Sequence, residues 1–138
     1  MPRFFTLEEA NRMLPDVEQA VRRLRRIRDE AVALRRHLEA KWAALEREEA
    51  SLDEIREAQD RLDALQEEFG EIVQRVEERG VILRDLDMGL VDFPSIAGHA
   101  EVYLCWRLGE KSIAFWHGLN EGYAGRKPLA ELPGRGAH

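Results

Sequence analysis

Asp85 and Asp87 stand two residues apart, so on an extended segment both carboxylates face the same side. Asp92 follows in the same stretch, and His117 and Glu121 are spaced four apart, sharing a face where the chain is helical. Carboxylates with one imidazole suit Mn, Fe or Zn and leave an open position for water. Asp85, Asp87, Asp92, His117 and Glu121 therefore form a candidate divalent-metal site, and the chemistry it would serve is that of a small metal-dependent enzyme, hydrolysis first. A second candidate is anionic: Gly122 and Gly125 punctuate a basic loop in which Arg126 and Lys127, with Arg107, could clamp a phosphate or carboxylate. The third reading is structural, with the aspartates making turns around Gly89 and His117 satisfying a local partner. Short acidic clusters beside glycine are commonest in turns, so the structural reading ranks ahead of metal binding, and metal binding ahead of anion binding.

Other chemistries fall away. Asp85-x-Asp87 begins like a calcium loop, but Gly89 and Ile96 occupy positions where that loop requires ligands. Cys105 is the only cysteine, in the apolar run VYLCWRL, and by itself can form neither an internal disulfide nor a thiolate zinc site. It reads as a buried, inert thiol, with His117 the only nearby base should it be a nucleophile. The chain has no glycine-rich phosphate loop, no G-x-S-x-G, no H-E-x-x-H and no paired C-x-x-C.

These residues lie in a segment whose period is that of strands. Val81 to Arg84 is short, apolar and β-branched. Gly89 to Phe93 is a second strand, expected to end at Pro94. From Glu101 to Leu108, Val102, Leu104, Trp106 and Leu108 alternate with Tyr103, Cys105 and Arg107. Gly109-Glu110 has glycine first, as a type II′ turn prefers, so residues 101–108 are expected to pair with 111–117 across a two-residue turn.

Upstream, the period is helical. Thr6-Leu7-Glu8-Glu9 and Ser51-Leu52-Asp53-Glu54 are both capping boxes. Pro15 predicts a break or kink near Leu14, separating a short first helix from a longer one. Val17, Ala20, Leu24, Ile27, Ala31, Leu34, Leu38 and Leu45 form one seam. Ile55, Ala58, Leu62, Leu65, Phe69, Ile72 and Val76 form another, stopped by Gly80. The link between them is so short that the helices must run antiparallel, in a coiled-coil-like hairpin.

Residues 22–36 carry seven arginines against two acids, and residues 51–80 ten acids against four arginines. The two stretches complement each other in the antiparallel register. With a net charge of −6 and no aromatics among the arginines, that makes RRLRRIR a solvated face, and nucleic-acid binding ranks low. Val21, Trp42 and Val73 lie off the seam and could pack against a second hairpin, making a homodimer the expected partner, or under the β module. The start MPRFFTLEEAN has no apolar signal region and no run is long enough to span a bilayer, so the expected location is the cytoplasm, away from membranes.

Asp85-Leu-Asp-Met-Gly-Leu-Val-Asp-Phe-Pro94, Val102-Tyr-Leu-Cys-Trp-Arg-Leu-Gly-Glu110, Trp116-His117 and Gly122-Tyr-Ala-Gly-Arg-Lys-Pro128 resemble an uncharacterised prokaryotic family, domain-of-unknown-function family 2203. Phe4 to Asn11 and Leu14-Pro15 are similar to that family's start. The resemblance implies small bacterial proteins and points to the C-terminal module, but brings no catalytic residue to carry over.

The expected fold is α+β: one domain over 1–138, with a helical hairpin and short N-terminal helix over 1–80. A small antiparallel β module would follow over 81–132, then a disordered tail at 133–138. A non-enzymatic interaction or scaffold protein is the leading expectation for function, and the metal-dependent enzyme is the alternative.

Overall fold

The computed structural model describes residues 3–134; residues 135–138, most of the tail expected to be disordered, lie outside that range. The order of elements is α1 (Leu7–Glu46), α2 (Leu52–Glu78), β1 (Ile82–Asp85), β2 (Leu90–Ala97), β3 (Ala100–Arg107), β4 (Phe115–Gly118) and β5 (Lys127–Pro128). This is the expected α+β architecture, a helical hairpin followed by an antiparallel sheet. The chain forms two compact units, residues 23–73 and the rest.

In the first unit, the hairpin tip, most of both seams is buried where the spacing placed it: Leu24, Ile27, Ala31 and Leu38 from α1, and Ile55, Ala58, Leu62, Leu65 and Ile72 from α2, while Leu34, Leu45 and Phe69 are half-buried. The reversal is tight. Glu48 takes a φ of +62°, and the Glu49 amide donates to the Ala44 carbonyl at 2.9 Å. Ser51 and Glu54 then close the expected capping box, each side chain accepting from the other's amide at 3.3 and 3.0 Å. The charge pattern is realised across the helices. Arg23 grips Glu68 through two bonds of 2.6 and 2.7 Å, and Arg61 meets Glu30 at 2.9 Å.

In the second unit, the start of α1 lies against the sheet. Thr6 and Glu9 form the other capping box. The break expected near Leu14 is absent, because α1 runs through Pro15 as one helix. An interior proline costs about 3 kcal/mol. Around it Ala10, Met13, Leu14, Val17 and Val21 are buried in one core with Phe93, Leu104 and Trp106, and each large side chain contributes about 1.5–3 kcal/mol. Burial wins. Val21 thereby belongs to this core, while Trp42 in the hairpin tip stays half exposed.

The five strands form an antiparallel meander in sequence order. Two details differ from expectation. Pro94 does not end β2, which continues to Ala97. The Pro94 carbonyl accepts from the Phe5 amide at 2.7 Å, so the side of β2 on which proline lacks an N–H faces the Phe5 segment, beyond the last β1 partner of Asp92. No ladder bond to β3 is lost.

The two-residue turn is also elsewhere. Ala97 pairs with Ala100 around Gly98-His99, with Gly98 at a φ of +63°. Gly109 and Glu110 instead open a longer connection from β3 to β4. There the Glu110 carbonyl accepts from the Trp106 indole at 2.9 Å, and Ile113 is buried, its amide donating to Asn11 Oδ1 at 2.8 Å. Satisfying the indole and burying Ile113 take up residues that a tight turn would have spent on pairing. Cys105 therefore faces Phe115, one residue off the register of the tight hairpin.

Candidate functional site

Strand period divides the sheet into two faces. Val91, Phe93, Leu104, Trp106 and Trp116 point to the core. On the other face the register sets Asp92 opposite Cys105 and Tyr103 opposite His117. The centre of this face is closed, although Ile96, Glu101 and Arg107 toward its ends are exposed. Asp92 is 1% exposed, Cys105 0% and His117 2%.

A buried carboxylate is costly unless paired. Asp92 has two partners: Arg84 Nε donates to Oδ2 at 2.8 Å, and His117 Nε2 lies 3.0 Å from both carboxylate oxygens. The Arg84 guanidinium stacks over Tyr103, whose ring leans on His117. Burial is the largest influence on the Arg84 pKa and lowers it, but the bond to Asp92, the Asp92 charge and Tyr103 together outweigh it, and the net shift is upward.

His117 Nδ1 sits 2.9 Å from the Gly118 carbonyl. A carbonyl only accepts, so Nδ1 carries the proton. In a neutral ring Nε2 would then present a lone pair to the lone pairs of Asp92. A cation must lie between them, either a proton or a metal ion.

Cys105 completes the group. Its sulfur, the Asp92 carboxylate and a His117 nitrogen lie within 4.8 Å of one another, the one such ligand cluster among the described residues. Burial, then the Asp92 charge, pushes the thiol up to about 12, so without a metal it is unreactive.

The other candidates are placed differently. Asp85 Oδ1 accepts from the Met88 amide in the β1–β2 turn, as the structural reading of that cluster has it, and Asp87 is exposed in the same turn. Glu121 accepts from Lys127 Nζ at 2.6 Å and from the Gly118 amide at 2.8 Å, and these bonds hold its carboxyl below the usual range. Of the five expected metal ligands, the structure brings together Asp92 and His117. Of the three expected anion-binding cations, Lys127 is taken by Glu121 and Arg107 donates to the Tyr123 hydroxyl. Arg126 reaches Glu110 at 2.7 Å and the Cys105 carbonyl at 3.3 Å, its guanidinium lying over Phe115. Among the described residues its Nε is the one buried side-chain polar atom without a partner.

A family model described as Uncharacterized conserved protein (DUF2203) matches residues 3–129. The chain belongs to that family. No curated protein and no solved structure matches it.

In this DUF2203 chain, sequence reasoning reached Asp92 and His117 but left Cys105 as a passive thiol and did not weigh Arg84 or Tyr103. One signal could have found the Cys105 link. A turn at Gly98-His99 pairs Asp92 with Cys105 by simple counting outward. His117 offers no comparable signal, because the connection before β4 is irregular.

Proposed function

We propose that the chain is a non-enzymatic interaction protein of the cytoplasm that self-associates through its hairpin. The observation that carries this reading is an open apolar groove in the hairpin tip, about 240 Å³ in volume, lined by Ile27, Ala31 and Phe69 with Arg28, Arg35 and Gln66 at its rim. Arg28, Arg35 and Trp42 are spaced seven apart and so lie on one stripe of α1 with Val32. Trp42 is 52% exposed and Val32 39%.

The fitting occupant is a second copy of the same hairpin. Arg25, Arg26, Arg35 and Arg36 on α1, and Asp53, Glu57, Asp60 and Glu67 on α2, have no ion-pair partner among the described residues. A two-fold pairing would set each basic flank against the partner's acidic one and cover the apolar floor. The cytoplasmic part of the reading is supported by the single unpaired thiol and by the absence, among the described residues, of a helix long and apolar enough to cross a membrane.

What favours this over a hydrolase is access. Asp92, Cys105 and His117 have almost no exposed surface, and a substrate needs a path to the reacting groups. Light scattering at micromolar concentration is the test, and a dimer is expected. Val32→Glu combined with Trp42→Ala, both at exposed positions, should give a monomer with unchanged helical circular dichroism. A monomeric wild-type chain overturns the reading.

A further inference from the structure

We propose that Asp92, Cys105 and His117 bind one divalent transition metal of the zinc class, as a buried structural centre on the outer face of the sheet. The centre is independent of the hairpin; it keeps Asp92 and His117 of the five-residue site expected from sequence and takes Cys105 in place of the other three. It rests on convergence, orientation and charge.

Convergence comes from strand register. Three ligand-bearing side chains from three neighbouring strands bring one oxygen, one sulfur and one nitrogen within 4.8 Å of one another. Neighbouring donors around a tetrahedral ion bound at about 2.0–2.3 Å lie at separations within this span.

Orientation comes from the surrounding bonds. His117 donates Nδ1–H to a backbone carbonyl, which aims the Nε2 lone pair into the cluster, the usual arrangement for a ligating imidazole. Asp92 has Oδ2 fixed by Arg84, which turns the carboxylate toward Nε2. Both ligands are held by partners outside the cluster.

Charge closes the argument. A thiolate and a carboxylate balance the two charges of a divalent ion, which leaves the Arg84 guanidinium on Asp92, partly open to solvent, as the residual positive charge. On binding, the Cys105 thiol proton and the proton between His117 and Asp92 leave to solvent, and S–M, N–M and O–M bonds replace them. No redox step is involved. The mixed sulfur, nitrogen and oxygen set suits Zn(II), Fe(II) or Co(II) and disfavours Mg(II) and Ca(II), which take oxygen ligands. Three protein donors leave the fourth position of a tetrahedral ion to one water, and the burial that argues against substrate turnover keeps a substrate from taking its place.

The test uses the full chain, stripped with chelator and titrated with Co(II). One equivalent per chain is expected to give an intense thiolate-to-cobalt charge-transfer band together with the visible bands of a tetrahedral site. Zn(II) should bleach both. Cys105→Ser should lose the charge-transfer band, while Asp87→Asn and Glu121→Gln should keep it. X-ray absorption on the zinc-loaded wild type should show one sulfur at about 2.3 Å among lighter ligands. That measurement stands whether or not the cysteine variant folds. Cobalt bound without a thiolate band, sulfur missing from the zinc shell, or no stoichiometric metal uptake would each overturn the proposal, and in the last case the cation between His117 and Asp92 is a proton.

Discussion

The hairpin tip and the sheet unit handle polar groups in opposite ways. Along residues 23–73 the charged side chains lie at the surface, and the interior is a seam of Leu, Ile and Ala. Its ion pairs are solvent-screened, so each constrains register more than it stabilises. The sheet unit buries Asp92, Ser95 and His117, each with a defined partner: Arg84 and His117 for Asp92, the Phe5 carbonyl for Ser95, and the Gly118 carbonyl for His117. One region is held by repetition and tolerates the loss of any single polar contact. The other is held by a few specific bonds, and each is costly to break.

The comparison predicts where single substitutions hurt most. Asp92→Ala, in metal-free protein, strips the acceptor from Arg84 and His117. Breaking a buried pair from one side costs about 3–5 kcal/mol. Urea denaturation should show this as a large fall in midpoint. Arg23→Ala, which deletes the best-formed ion pair of the hairpin tip, should move the midpoint far less and lose even that effect in high salt. If the two variants were equally destabilised, the contrast between the regions would be broken.

Backbone constraint comes next. Gly89 has a φ of +64°, and a Cβ added there would stand 2.4 Å from Leu108 Cβ, an atom fixed by its own backbone. The Leu108 amide donates to the Gly89 carbonyl at 2.9 Å, so neither strand can easily move away. Gly89→Ala should cost about 1–3 kcal/mol from the backbone conformation alone, with the clash added to it. Gly70, in the middle of α2, has open space where its Cβ would go, and Gly70→Ala should stabilise by about 0.5–1 kcal/mol. Opposite signs at two glycines, read by thermal melting, would sharpen the distinction between the regions.

Legibility in the sequence follows the same division. The hairpin could be read almost completely because its determinants are local. Two capping boxes, a three-four apolar spacing and complementary charge each name their partner within a few residues or by reflection about one turn. The misreading in the helices was Pro15, in the part of α1 that belongs to the sheet unit, where a local rule met a core it could not see: Phe93, Leu104 and Trp106 are far away in sequence, and their burial with α1 outweighs the proline penalty. In the sheet, the alternation in residues 101–108 gave the faces correctly, but register depends on turns. Gly98-His99 and Gly109-Glu110 both offer glycine followed by a polar residue, and the sequence does not mark which of them is tight. The site inherited that ambiguity. Asp92 and His117 stood out by residue type, whereas Cys105 joins them only once the pairing of β2 with β3 is known.

The smallest expected effect lies at the capping boxes, one in each unit, where the two regions should behave alike. Thr6 and Ser51 each accept an amide three residues on, and replacing either with alanine should cost about 0.5–2 kcal/mol. The carboxylate half is pH-dependent. The Ser51 amide, then Lys41, lowers the Glu54 pKa, and the Thr6 amide, then its hydroxyl, lowers that of Glu9. A carboxyl with a folded pKa below its unfolded value binds fewer protons folded than unfolded. Its contribution is therefore complete above about pH 4.3, the ordinary glutamate pKa, and is lost as pH falls through the lowered folded value. Glu54→Gln and Glu9→Gln should each flatten the acid limb of stability against pH by a similar, small amount and leave the neutral range nearly unchanged. A markedly larger change for Glu9 would mean that its box also holds the Phe5 segment against β2, and the cap would then belong to the costly class of contacts that defines the sheet unit.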